Sequence, residues 1–377
     1  MKVAFFIGGL NIGGTETMVL DSFRKKSAAP FESILIYRND GELSEQYRAT
    51  GVPMFRIKPQ GSKLGYICEL RRLLKREKVD ILHTQTLLNA LLGLFCVCFS
   101  RVKLVASFHG FRYSRIERFY THLVLWYADA CVFVSGFVKD WYLKNTRFAP
   151  EKRCHVVYNG IDFSKFDQDY PLPDFLKSTE VSASGVANFV MVGNFVSGRS
   201  QIMMCKAANA LVKRGTDRFR LFFVGKRSDI FPKRFDNCVK YCREQGLLDK
   251  KVFFLGGRGD VPAILQNVDG FVYSTDHDTF GIAVVEAISV GLPVVVNDWE
   301  VMKEITKNGE MAMLYKTRDV ADCADKVEYL LNNIEECKQK AKVAAAHVRE
   351  LYGIERHILN LNSVYESVCQ NPLKQKQ

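Results

Sequence analysis

Short apolar runs rich in β-branched and aromatic residues alternate with stretches of helical periodicity along the whole chain, and this alternation admits few folds. The runs VAFFI (3–7), SILIY (33–37), ILHT (81–84), LVASF (104–108), ACVFV (130–134) and HVVYN (155–159) are separated by patterns of period 3.6 at 15–26, 67–77, 87–97, 116–127 and 137–145. Strands joined through helices run parallel, so the pattern predicts a parallel sheet with helices on both faces. A second series follows: NFVMVG (188–193), RLFFVG (220–225), KVFFLG (251–256), GFVYS (270–274), PVVVN (293–297) and AMLYK (312–316), with helical patterns at 204–214, 235–246, 281–290 and 321–333. Two doubly wound α/β domains in tandem are expected. Such sheets bind ligands beyond the carboxyl ends of their strands, which makes a cleft between the domains the default site.

Between the two series, 167–185 carries Pro171, Pro173 and several serines without periodicity, and reads as an interdomain hinge. The expected division is an N-terminal domain at 1–170, a linker at 171–185 and a second domain at 186–350. The tail reads as amphipathic helix with a break near Gly353, and 351–377 is expected to pack back on the first domain. A composition of 47% hydrophobic and 25% charged residues excludes a disordered chain. Nine of the net +12 charges fall in 1–170, which suggests an anionic surface or substrate there. Eleven cysteines without a C-x-x-C pair exclude a zinc ribbon and a disulfide framework, and are expected to be reduced core thiols of a cytoplasmic protein. The five apolar residues after Lys2 are too few for a signal peptide and read as a first buried strand. The apolar stretch 87–99 falls short of the ~20 residues that span a bilayer and is expected to be a buried helix.

The segment DGFVYSTDHDTFGIAVVEAISVGLPVVVND (269–298) is the richest in chemistry. A strand ends, a polar loop follows, and a helix begins near Phe280, Gly281 and Ile282, where unpaired N–H groups suit an anion such as a diphosphate. Asp278 and Glu286, with seven residues between them, place one carboxylate in the loop and one in the helix. A carboxylate that accepts from two vicinal hydroxyls suits a ribose or a hexose. The glycine-rich GGLNIGGTE (8–16) lacks the G-x-G-x-x-G spacing of dinucleotide-binding folds. There is no P-loop and no G-x-S-x-G elbow, and His83 and His109 have no partners at metal-ligand spacing, so no metal is expected.

The 269–298 segment resembles the C-terminal signature of the family-4 retaining glycosyltransferases, nucleotide-sugar-dependent enzymes of GT-B fold. In that pattern two glutamates are separated by seven residues, with F-G two places after the first and G-L-P-V after the second. Asp278 stands here at the first glutamate. The resemblance implies that Glu286 binds the donor's ribose hydroxyls and that Asp278 lies at the donor sugar or reaction centre. GGLNIGGTE is similar to the family's loop after the first strand, where Gly13 and Gly14 would let phosphates approach the backbone. His109, in VASFHG, matches a histidine beside the transferring sugar; His83, in DILHTQ, matches one on the acceptor side. VVYNGID (156–162) is similar to the motif that ends the N-terminal domain, with Tyr158 in place of proline. VGNFVSGRSQ (192–201) aligns with the donor-phosphate clamp, an Arg followed five residues later by a Lys. Asn194 occupies the first position and Arg199 the second, so one cation is missing. Either backbone N–H groups suffice, or another base such as Lys226 or Arg258 enters the site.

What the resemblance implies is a GT-B protein with two Rossmann-like domains facing a central cleft. Its activity would be that of a retaining, metal-independent hexosyltransferase without a cofactor. The sugar would move from a nucleotide-diphospho-sugar, UDP-linked by preference, to a hydroxyl of a glycan or lipid-linked acceptor in cell-envelope polysaccharide synthesis. Two other readings stay open. One is a hydrolysing nucleotide-sugar epimerase on the same fold; the other is a catalytically silent sugar-nucleotide-binding subunit, which Asn194 and Asp278 favour. The stretches 67–78 and 111–120 combine Arg and Lys with aromatic and aliphatic residues. They predict either peripheral docking on the inner face of an anionic membrane or plain amphipathic helices. No nucleic-acid-binding module is present.

Overall fold

Runs of Val, Ile, Leu and Phe without polar alternation suit strands buried on both faces, and all the strands pair in parallel. The computed structural model describes residues 1–58, 63–111, 114–146, 150–177 and 185–370. The chain divides into two units, Met1–Asp162 with Tyr352–Gln377, and Phe163–Leu351.

In the first unit β1 (Lys2–Phe6), β2 (Glu32–Tyr37), β3 (Met54–Arg56), β4 (Ile81–Thr84), β5 (Lys103–Phe108), β6 (Ala130–Phe133) and β7 (Cys154–Val156) form one sheet in the order 3-2-1-4-5-6-7. The order reverses between β1 and β4, where Phe5 is in register with His83. The helix Ile354–Gln370 belongs to this unit, and its Leu361, Val364, Tyr365 and Val368 join the core around Phe5 and Phe23. Each such buried side chain stabilises by roughly 1.5–3 kcal/mol. Close approach of this helix explains the glycine of VVYNGID: a Cβ on Gly160 would lie 2.6 Å from His357 Cβ and 2.9 Å from Ile354 Cα. The chain is pinned there by Ile161 N–H donating to Tyr352 O and Ile354 N–H donating to Ile161 O, at 2.9 and 3.0 Å.

In the second unit β8 (Ala187–Val192), β9 (Phe219–Val224), β10 (Val252–Phe254), β11 (Gly270–Tyr273), β12 (Val294–Asn297) and β13 (Met313–Tyr315) run in the order 10-9-8-11-12-13, with the reversal between β8 and β11. Paired phenylalanines stack across β9 and β10: Phe222 on Phe253 and Phe223 on Phe254, both at 5.1 Å.

Several expectations are corrected. The helix Leu87–Val97 is not buried all round: Asn89 is enclosed, its Nδ2 donating to Phe6 O at 3.1 Å, but Leu88, Phe95 and the following Phe99 are 54%, 62% and 83% exposed. Not every cysteine is a core thiol, since Cys68, Cys98 and Cys369 are exposed; all eleven are free. The division between units falls at Asp162, upstream of the expected linker, and Asp174–Lys177 form a helical turn within the second unit. Residues 178–184 of that linker lie outside the described residues, as do Arg112 and Tyr113 of the 111–120 stretch and 371–377 of the tail. No helix among the described residues is long and apolar enough to cross a membrane.

Candidate functional site

Each sheet gathers polar side chains beyond the carboxyl ends of its strands, around the point where strand order reverses, as parallel sheets do. In the second unit this point lies between the loop after β8 and the loop after β11. Gly281 ends the latter with φ +89°, a left-handed conformation that favours glycine, and caps the helix Ile282–Ser289. Phe280 is buried beneath it. Ile282 and Ala283 are half-exposed in the first turn, where backbone N–H groups have no intrahelical acceptor. Glu286 sits one turn further on the same face, and its carboxylate pairs with Lys165 Nζ at 3.5 Å.

Arg199 and Asp278 meet directly, Nε to Oδ1 at 4.0 Å. The wholly buried Tyr273 donates its hydroxyl to Asp278 Oδ2 at 2.6 Å. Burial, together with the neighbouring carboxylate, keeps that phenol far from ionising, and the Tyr273 and Asp278 oxygens in turn hold Arg199 firmly protonated. The guanidinium lies back over the strand end, so that a Cβ on Gly193 would come within 2.8 Å of Nη1. Trp299 donates Nε1–H to Asp278 O at 3.1 Å, and Asn297 bonds both the N–H and the carbonyl of Thr275, at 2.9 and 2.8 Å. The loop is thus fixed from β12. Asn194 accepts the Lys226 N–H on Oδ1 at 2.8 Å, whereas Arg258 is bound by both oxygens of Asp260, at 2.8 and 2.6 Å.

In the first unit His109 Nε2 lies 2.8 Å from the side-chain amide of Gln85, a hydrogen bond between ring and amide. His83 has no edge turned to solvent. It is 1% exposed, with Nδ1 at 2.6 Å from Tyr365 Oη and Nε2 at 2.7 Å from Ser107 Oγ, and burial pushes its pKa down to about 3. The expected acceptor-side histidine is packed as a core residue. Gly13 is the N-cap of the helix Gly14–Arg24, and the Glu16 carboxylate folds back over it, its pKa raised by burial. Among the described residues no group of three or more His, Cys, Asp and Glu is arranged to hold a metal ion.

Sequence reasoning passed over Tyr273, Lys165, Gln85 and Tyr365. Only Tyr273 carried a signal, as a hydroxyl inside an otherwise apolar strand that must find a partner when buried.

Two family models match and together take in most of the chain: "Glycosyltransferase Family 4" over residues 12–165 and "Glycosyl transferases group 1" over 175–347. The chain is 24% identical over 325 residues to the UDP-Gal:alpha-D-GlcNAc-diphosphoundecaprenol alpha-1,3-galactosyltransferase of Escherichia coli, covering 82% of each. It is 19% identical over 353 residues to the O-antigen biosynthesis glycosyltransferase WclY of the same organism, covering 90% of this chain and 92% of that one. The crystal structure of Anabaena Alr3699/HepE in complex with UDP and glucose matches the fold with a TM-score of 0.85 at 16% identity, over 97% of this chain and 100% of that one. With its two Rossmann-like sheets and both family models matched, the chain belongs to the family-4 glycosyltransferases of GT-B fold.

Proposed function

We propose that the protein is a retaining hexosyltransferase that moves a sugar from a UDP-linked donor to a hydroxyl of a lipid-linked glycan in cell-envelope polysaccharide synthesis. The observation that carries this reading is the ion pair of Arg199 with Asp278 at the β8/β11 reversal, in the loop that leads into the Ile282–Ser289 helix, which carries Glu286. A diphosphate placed there meets a cation and unpaired N–H groups, while Glu286 offers a carboxylate to ribose hydroxyls. Charge that builds on the leaving diphosphate is neutralised by protein donors and the helix dipole, without a metal or a cofactor. The leaving oxygen takes the proton of the acceptor hydroxyl, which attacks from the same face, and the anomeric configuration is kept.

The choice of donor and acceptor is supported by the relatives. One is named for UDP-Gal as donor, a GlcNAc-diphosphoundecaprenol as acceptor and an alpha-1,3 linkage as product. His109, hydrogen-bonded to the Gln85 amide, contributes an imidazole to the sugar side. We place the protein in the cytoplasm, in peripheral contact with an anionic membrane through the first unit.

The test is transfer from radiolabelled UDP-hexoses and UDP-N-acetylhexosamines to polyprenyl-diphosphate-linked sugars, with and without EDTA, and the anomeric coupling constant of the product. An α-linked product formed equally well in EDTA is expected. Hydrolysis without transfer would favour the epimerase reading, and the absence of both reactions the silent subunit.

A further inference from the structure

Asn194 brings no charge to the loop after β8, and its Oδ1 is engaged by the Lys226 N–H. The basic residues around that loop are sorted by their partners. Arg258 is held by Asp260 and lies over the Phe175 ring at 5.3 Å. Arg227 makes two bonds of 2.9 Å to Asp236. Arg318 pairs with Asp276 at 3.5 Å. The Lys226 stem runs over Gly257, where a Cβ would lie 2.5 Å from its Cγ, and so heads toward the β10 side of the sheet, away from β11.

Arg234 differs from all of these. It stands in the first turn of the helix Pro232–Glu244, which follows β9, and reaches back to donate Nη1 to the Arg199 carbonyl at 3.2 Å. Its side chain is exposed, and that carbonyl is its partner among the described residues. A guanidinium docked through one N–H keeps the rest of its fork for an anion, and one bound to a neutral carbonyl keeps its whole charge.

We propose that Arg234 is the second cation of the diphosphate site, supplied by the helix after β9 in place of the arginine missing at position 194. The inference rests on the donor reading above. Arg199, fixed by Tyr273 and Asp278, serves the β11 side of the phosphates, and Arg234 serves the β9 side.

The test is calorimetric binding of UDP, UMP and uridine to the intact protein and to Arg234→Ala, Arg234→Lys, Arg199→Ala and Arg227→Ala. Arg234→Ala should weaken UDP at least tenfold, UMP less and uridine not at all, and should flatten the salt dependence of UDP binding. Arg234→Lys should recover part of the loss, and Arg227→Ala should match the unmodified protein. If Arg199→Ala weakens UDP while Arg234→Ala does not, the clamp loop stands and the role of Arg234 is overturned. Equal loss for UDP and uridine in Arg234→Ala also overturns it, since the residue then acts by shaping the loop. If UDP does not bind the unmodified protein, or binds Arg199→Ala unchanged, the donor reading of this loop fails and the inference fails with it.

Discussion

Two carboxylates of one signature have been given different company, and their substitutions should separate. Glu286 pairs with Lys165 across 3.5 Å on the half-exposed side of its helix, a position from which its carboxylate can reach a ribose. Glu286→Gln keeps the shape and removes charge-assisted bonds, so donor affinity should fall by about 1.5–3 kcal/mol with the fold intact. Calorimetry with UDP checks this, and wild-type affinity would remove Glu286 from the site. Asp278 is instead anchored by a buried phenol and a guanidinium. Tyr273→Phe deletes the donor to a charged acceptor without changing the ring, so a stability loss of about 1.5–3 kcal/mol should appear in urea unfolding. A variant as stable as the parent would mean that Asp278 is held by Arg199 alone. The signature was legible because its acidic, glycine and proline positions are close in sequence. The partners were not, because His83 and Tyr365 are 282 residues apart and no local pattern encodes such a pair.

At the scale of elements, legibility followed length and apolar continuity. The twelve expected strands correspond to the observed ones within a few residues, whereas β3 was missed. Met54–Arg56 is a three-residue edge strand that carries no periodicity of its own, and it is registered on β2 by the Pro53 carbonyl accepting the Leu35 N–H at 2.9 Å. The helix Val261–Asn267 has seven residues and a proline in its first turn, too little for a 3.6 pattern. The opposite error, reading 87–99 as buried, arose because an all-apolar helix has no polar face to mark its exposed side. That helix packs between Lys63–Arg76 and Arg115–Tyr127. On the last of these, Ile116, Phe119, Tyr120 and Tyr127 are 68%, 60%, 40% and 60% exposed, a second apolar stripe at helical spacing that faces solvent. Exposed Arg71, Arg72, Lys75 and Arg76 lie on the neighbouring basic helix. Aromatic side chains beside basic ones suit the headgroup region of an anionic bilayer. Phe95→Ser with Phe119→Ser should therefore abolish sedimentation with phosphatidylglycerol vesicles at physiological salt. Charge reversal at the four basic positions should abolish it even at low salt, and both variants should still bind UDP. An unmodified protein that ignores such vesicles at low salt has no membrane face there.

For the molecule as a whole, the two units share a strand order but should fail in acid at different pH. The first unit encloses His83 and His357, whose pKa values burial lowers from 6.5 to about 3 and about 4, and His155 is lowered by burial as well. His357 donates Nδ1–H to the Tyr158 carbonyl at 2.6 Å, which opposes the shift without cancelling it. A base whose folded pKa lies below its unfolded value binds more protons when unfolded. Its contribution is complete above pH 6.5 and is lost as the pH falls toward the folded value. By pH 4 the loss is roughly 3 kcal/mol for each of the two deepest histidines, a large share of the ~5–15 kcal/mol that holds a domain together. Carboxylates of the second unit are shifted down as well, but from a starting value already far below that of histidine. Bonds from Arg258 lower Asp260, and bonds from Thr317 lower Asp298 against the effect of burial, so their stabilisation is full above about 3.8 and lost only below it. Hydrogen exchange at stepped pH should therefore show the β1–β7 sheet and the Ile354–Gln370 helix losing protection between pH 6 and 4, with the β8–β13 sheet still protected at pH 4. Loss of both sheets in one transition would show that the units unfold as a single cooperative body, whose stability outweighs the proton uptake of the buried histidines.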